Sequence, residues 1–233
     1  MDKQVEEIKK MLVACSSEQR EIIFKELRKE FHIHPLEAKL VTQAEIILEA
    51  INKDDKGLTF RMMRGVIAEA AFQIEVISKL ENWIDVTPEG DLPFDYLLQD
   101  NKGKVSVQVK LQRSKDFKPM LANEAFKRFS PKLFVAETQK TRGGIDATTK
   151  EDTRPYKFGE FDILAVAMQP STNNWASFMY TVSNWLLPNE DDKSRILKFQ
   201  PVSSVVNEDW TDSFSTCVEW LRSEKKKTIF CCD

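Results

Sequence analysis

The chain has 233 residues, 42% of them apolar and 30% charged, with seven glycines and a formal net charge of −3. This length holds one sizeable α/β domain with a small helical annex, and the composition is that of an ordinary globular protein and not of a fibrous or disordered one. The slightly acidic balance excludes a general polyanion binder, and no apolar run approaches the length of a membrane span.

The opening stretch MDKQVEEIKKMLVAC is amphipathic and contains acids, which fits neither a secretory signal nor a transit peptide, so a cytoplasmic protein is expected. Residues 1–53 read as helical throughout. Val5, Ile8, Met11 and Leu12 make one apolar stripe. Ser16, Ser17 and Glu18 offer a cap, after which Ile22, Ile23, Leu27 and Phe31 make another. The His34-Pro35 step ends that helix, because proline disfavours the α conformation in the residue before it. A third helix is expected over residues 35–51, with Leu36, Leu40, Ala44, Ile47, Leu48 and Ile51 inward. This helical region, 1–56, would contact DNA, dimerise or pack against the main domain, the last two uses being favoured. The polar NKDDKG, residues 52–57, marks the boundary, and a second domain is expected over 57–233.

Residues 60–80 read as one long helix with the stripe Met62, Val66, Glu69, Gln73, Val76 and Leu80. Glu69 therefore falls on a face expected to be buried. A carboxylate there costs several kcal/mol unless it is paired or beside a metal. Pairing with Arg64 or Lys79 is the structural alternative, and a functional acid is the favoured one. Residues 83–86 make a short strand. Residues 93–110, PFDYLLQDNKGKVSVQVK, then read as a β-hairpin: Phe94, Tyr96 and Leu98 alternate with their neighbours, Asp100-Asn101-Lys102-Gly103 turns, and Val105, Val107 and Val109 alternate with Ser106, Gln108 and Lys110. Strand side chains repeat every second residue, so Gln108 and Lys110 share a face about 7 Å apart, within reach of one phosphate. If Asp95 on the partner strand faces the same way, an acid, an amide and an ammonium converge.

A helix is expected over residues 117–129, stopped by Ser130-Pro131, with a strand at 133–135. Between residues 102 and 142 there are 11 basic residues, among them Arg113 and Lys115, against the acids Asp116, Glu124 and Glu137. Such a block attracts phosphate and supplies the salt-dependent part of nucleic-acid affinity; a solvated lysine face is the competing reading. Residues 137–160 form a long irregular excursion whose Gln139, Lys140, Arg142, Arg154 and Lys157 carry donors suited to base edges and phosphates. Residues 161–168 read as a buried strand with 175–182 as its hairpin partner, and Asp162 as structural. The end of the chain, with Trp210, Trp220 and the run Lys225, Lys226 and Lys227, reads as a short helix and a strand covering the sheet. Cys15, Cys217, Cys231 and Cys232 show no C-x-x-C spacing and have only His32 and His34 as companions, so zinc is not expected.

This order, an acid-bearing helix, three strands, a helix and a strand with Glu69, Asp95, Gln108 and Lys110 at those places, resembles the core of the PD-(D/E)XK nuclease superfamily over residues 60–137. Within it, the chain is most similar to type II restriction endonucleases and methylation-dependent relatives whose motif ends in Q-x-K. Two departures are visible. Phe94 separates Pro93 from Asp95, which makes Asp91 a rival for the acid, and Gln108 stands where a carboxylate is usual.

The resemblance implies an α/β fold with a restriction-endonuclease-like mixed central sheet flanked by helices, preceded by the N-terminal helical region. It implies Mg²⁺ held by Asp95, Gln108 and Glu69, with Lys110 beside the scissile phosphate. It also implies hydrolysis of double-stranded DNA at a short specific sequence by a homodimer, in a system with a DNA methyltransferase protecting the same site. The DNA contacts would come from Arg113, Lys115, Gln139, Lys140, Arg142, Arg154 and Lys157. The alternatives are a structure- or modification-directed nuclease of the same fold and a non-catalytic DNA-binding protein.

Overall fold

The computed structural model describes residues 3–30, 35–42, 44–53, 57–116, 118–140, 144 and 153–232, which fall into two units, residues 1–62 and 63–233. His32, His34 and Arg142 lie outside the described residues, as does most of the excursion around residue 145.

The first unit holds α1 (Lys3–Ala14), α2 (Ser17–Glu30), α3 (Pro35–Leu40) and α4 (Ala44–Asn52), and ends within α5 (Leu58–Glu75). Ser16 caps α2 reciprocally: its hydroxyl accepts the Gln19 N–H (3.2 Å) while the Gln19 side chain accepts the Ser16 N–H (2.9 Å). The single helix expected over 35–51 is two. Val41 takes a left-handed φ of 50°, the buried Glu37 carboxylate accepts the Ala44 N–H that opens α4 (2.9 Å), and the Glu37 carbonyl accepts the Thr42 N–H. The apolar stripes are covered only in part: Leu12, Ile23, Ala44, Ile47 and Ile51 are half-buried. Val5, Ile8, Met11, Ile22, Leu27, Leu40 and Leu48 are exposed, and among the described residues of this unit no apolar side chain is buried. Four helices of 6 to 14 residues enclose too little volume for a core.

The second unit is built on a five-stranded mixed sheet in the order β1 (Ile84–Asp85), β2 (Tyr96–Asp100), β3 (Gly103–Leu111), β7 (Ile163–Ala167), β8 (Phe178–Val182). The hairpin forms as its alternation predicts. The Asp100 carboxylate accepts the Lys102 and Gly103 N–H groups (2.9 and 3.0 Å), and Gly103 supplies the φ of 139° that closes the turn. β3 then runs parallel to β7, with Gln108 opposite Leu164 and Lys110 opposite Val166, and β7 pairs antiparallel with β8. Every residue of β7 and β8 is buried, because both faces of the sheet are covered.

On one face lie α5 and α8 (Phe214–Arg222). Phe72 of α5 is fully buried among Tyr96, Phe178, Tyr180 and Phe214, at centroid distances of 5.4 to 6.3 Å. The helix ends at Glu75 and not near 80, followed by a 3₁₀ turn, Ile77–Lys79. Its sheet-facing residues are Ala68, Ala71 and Phe72, while Met62, Val66 and Gln73 are exposed. Small alanines let the backbone approach the sheet and one aromatic fills the remaining space, so Glu69 sits half-buried at the flank of this contact rather than at its centre.

Between β3 and β7 the chain forms the hairpin β4 (Ser114–Lys115) and β5 (Lys118–Pro119), the single turn α6 (Ala122–Ala125), and β6 (Phe134–Glu137), which pairs with β9 (Phe199–Val202) as a small separate sheet. The helix expected over 117–129 is therefore reduced to α6. Asp116 with φ of 49° turns the chain back, and Pro119 has no N–H to give a helix. The strand expected at 133–135 forms one residue later, as β6, and does not join the main sheet; β3 lies between β2 and β7. A short α7 (Gln169–Thr172) follows β7, and the last described residues run in irregular form, Ile229 donating its N–H to the Trp185 carbonyl (2.7 Å). No helix among the described residues is long and apolar enough to cross a membrane.

Candidate active site

β2 begins at Tyr96, opposite Val107, so the Val109 N–H lies beyond the end of the β2–β3 ladder. Asp95 takes it. Its backbone N–H extends the ladder by one bond to the Val107 carbonyl (3.0 Å), and its Oδ2 accepts the Val109 N–H (2.7 Å) and the Gln108 amide N–H. The Gln108 side chain is buried and also donates to the Val109 carbonyl (3.2 Å). An ionised carboxylate only accepts, so the amide nitrogen must face Asp95. That leaves Asp95 Oδ1 and Gln108 Oε1 without a hydrogen-bond partner among the described residues. Asp91, the rival acid, lies exposed in the preceding loop.

Glu69 is held to the same place by backbone and ring. The Tyr96 hydroxyl donates to the Glu69 carbonyl (2.8 Å), tying α5 to the start of β2. Burial raises the Glu69 pKa, and the nearby Asp95 charge raises it further, against an opposing pull from Lys110. The structural pairings do not occur: Arg64 donates to Ser114 Oγ (3.0 Å) and Gln169 Oε1 (2.9 Å), and Lys79 pairs with Glu75 (2.6 Å). Asp95 is likewise pushed up, by burial first, with the Val109 N–H, Lys110 and Gln108 pulling it back. The Tyr96 phenol is pushed up to about 12 by burial and by Glu69, Asp95 and Asp85.

Lys110 follows two residues after Gln108 on the same face. Burial lowers its pKa, and Asp95, Glu69 and Glu137 act to restore it. Its Nζ donates to the Tyr156 hydroxyl (3.3 Å) and lies 5.2 Å from the centre of that ring. Tyr156 is buried edge-on against Phe161 (5.3 Å, 84°), and Lys140 Nζ lies 5.4 Å from the same ring while pairing with Glu160 (2.7 Å). Tyr156 is the site residue that sequence reasoning missed. The available signal was an aromatic pair, Tyr156 and Phe158, set in an otherwise polar excursion.

The expected DNA-contacting residues are dispersed. Lys140 reaches the site through Tyr156. Arg113 is tied to Glu137 (2.6 Å), Lys115 is exposed on β4, and Gln139 bridges to Pro155. Arg154 and Lys157 are exposed on the far limb of the excursion, and Arg142 is not among the described residues. Asp162 ties β3 to the start of β7 by accepting from the Ser106 N–H and hydroxyl (2.8 and 2.7 Å).

Compared by sequence, the chain matches no protein-family profile and no curated protein. Among solved structures it is similar to a bacterial homing endonuclease, with 18% identity, a TM-score of 0.35, and coverage of 64% of this chain and 81% of that one.

No group of three or more His, Cys, Asp or Glu is gathered as for a metal among the described residues. What the site offers is two carboxylates and one amide oxygen. Magnesium takes one or two carboxylates and keeps several of its waters, so this donor set suits it. The electrostatics suit it too: two half-buried carboxyls that resist ionisation beside one another are relieved by a divalent cation.

Proposed function

We propose that the chain is a Mg²⁺-dependent endonuclease that hydrolyses phosphodiester bonds of double-stranded DNA at a short specific sequence, as a type II restriction enzyme does. The observation that carries this reading is the convergence of Asp95, Gln108 and Lys110 at the end of the β2–β3 ladder, with Glu69 held beside them by Tyr96. Asp95, Gln108 and Glu69 would hold the Mg²⁺, which supplies neutralisation of the phosphate and a more acidic bound water.

The chain's own residues do the rest. Asp95 is oriented by two N–H donors on one oxygen, so its other oxygen is presented without rotamer freedom. Lys110 stabilises negative charge growing on the phosphate oxygens as water adds to phosphorus and the 3′ oxygen leaves. Burial makes its ammonium a stronger acid than an exposed lysine, so it can also hand a proton to the leaving oxygen. Cutting both strands calls for two such sites, which supports a homodimer, and a host carrying this activity would need a methyltransferase protecting the same sequence.

The test is digestion of large unmethylated DNA by the purified protein with Mg²⁺ and with EDTA, followed by sizing and end sequencing. Discrete metal-dependent fragments with one shared terminal sequence are expected. A smear would remove the sequence specificity, and intact DNA across several metals and methylation states would remove the enzyme.

A further inference from the structure

Away from the active site, the second unit carries a cleft of about 630 Å³ that the proposed hydrolysis does not use. That volume lies in the range of sites for small organic ligands. Its floor is apolar and aromatic: Trp220, Phe158, Leu221, Leu186 and Val182 line it. Trp185 is buried behind, 5.4 Å from Trp220 between ring centres, and fixed by donating its indole N–H to the Lys225 carbonyl (2.7 Å). Trp220 and Phe158 are only half-buried, which leaves aromatic surface on the cleft side in water.

The rim is cationic. Lys193, Lys225, Lys226 and Lys227 stand around the cleft with one acid, Glu224. Lys227 is committed, pairing with Asp209 (2.6 Å) and lying 4.4 Å from the centre of the Trp185 ring. The ammonium groups of Lys193, Lys225 and Lys226 are exposed and carry no ion pair or hydrogen bond among the described residues. Asn184, exposed on the same lining, adds a side chain able both to donate and to accept.

We infer that this cleft binds one unpaired nucleotide. A base is the planar apolar body that stacks on Trp220 and Phe158, its phosphate is the anion that the free lysines lack, and Asn184 meets a base edge. The nucleotide could arrive free or as part of a DNA strand with one base out of the stack. The second source is favoured by chain continuity: Tyr156 reaches the active-site lysine, and Phe158, two residues on, walls the cleft.

The experiment uses the full chain in EDTA, so that cleavage plays no part. Tryptophan fluorescence is titrated with deoxyadenosine monophosphate, with a short fully paired duplex, and with the same duplex carrying one unpaired adenosine. Quenching is expected with the unpaired-base duplex, weakened on the order of tenfold in the Lys225→Glu, Lys226→Glu double variant. Both side chains are exposed, so folding is not at issue; Trp220→Leu, checked by circular dichroism, is expected to lose the quenching as well. Binding of the mononucleotide alone would support the cleft and assign the free source. Quenching by none of the three, equal quenching by the fully paired duplex and the unpaired-base duplex, or equal quenching in the lysine double variant, would overturn the inference. Because the titration is blind to hydrolysis, a chain that cuts DNA with an unaltered double variant defeats this inference alone, and one that binds through the cleft without ever cutting defeats the nuclease reading alone.

Discussion

The Lys110 ammonium donates to the Tyr156 hydroxyl at 3.3 Å and lies 5.2 Å from the centre of its ring. Ring and hydroxyl together favour the charged lysine against the burial that lowers its pKa. Tyr156→Phe keeps the ring and removes the acceptor. Its cleavage rate is expected to fall by about tenfold. Its alkaline limb should also move to lower pH than in the wild type, because the ammonium then deprotonates earlier. A pH–rate profile of both proteins reads this, and superimposable profiles would show that Tyr156 only fills space.

Glu69 gives a prediction of the opposite kind. Its pKa is raised in the folded protein, so its contribution to stability is present at low pH and is lost as pH rises through that raised value. At neutral pH the ionised side chain therefore works against the fold. Glu69→Gln in EDTA is expected to raise the melting temperature, by roughly 1–2 °C once solvent screening of this half-buried group is allowed for, while lowering cleavage in Mg²⁺. Thermal melts of the two proteins at neutral pH and near pH 4 check the sign: the gain should vanish at the lower pH.

Replacing Gln108 by the acid usual at its place tests the donor set. The substitution Gln108→Glu sets a second carboxylate against Asp95 and deletes the N–H that Asp95 accepts. This variant is expected to melt lower than wild type in EDTA and to gain more from added Mg²⁺, with an apparent affinity about tenfold tighter. Equal metal-induced shifts in the two proteins would place the cation elsewhere.

Two contacts anchor the hairpin, one at its turn and one against Tyr96. Arg222 of α8 grips Asp100 at the β2–β3 turn with two bonds, 2.8 and 2.7 Å, and this pairing, aided by the Lys102 and Gly103 N–H groups, brings the Asp100 pKa down to about 2. A depressed carboxylate stabilises the fold above its ordinary value and ceases to do so as pH falls through about 2. Arg222→Ala should therefore lower the melting temperature at neutral pH and narrow its difference from wild type in strong acid. Phe72, enclosed by four rings, is the harder test of the core: Phe72→Ala should cost about 3–5 kcal/mol by urea unfolding, a large share of the stability of a typical domain.

The hairpin was legible because its signals are local. Val105, Val107 and Val109 alternate, the Asp100 to Gly103 turn supplies its own hydrogen bonds, and a period of two then fixes Gln108 and Lys110 on one face. The face of α5 was not legible, because Met62 and Val66 are as apolar as the residues used, and the choice of Ala68 and Phe72 is made by the sheet they meet. The helix expected over 117–129 failed at a backbone conformation, Asp116 in the left-handed region, that no side-chain pattern announces. Tyr156 escaped notice because it reaches Lys110 from an excursion without periodicity, and only the parallel pairing of β3 with β7 brings the two together.

The most direct test of the proposed chemistry compares cleavage and binding in three proteins: wild type, Asp95→Asn and Lys110→Met. DNA binding is followed by anisotropy in EDTA and cleavage by gel in Mg²⁺. The account predicts metal-dependent cutting by wild type, a loss of on the order of a thousandfold in both variants, and DNA affinity close to wild type in all three. Cleavage retained in Asp95→Asn would contradict it and transfer the role to Asp91.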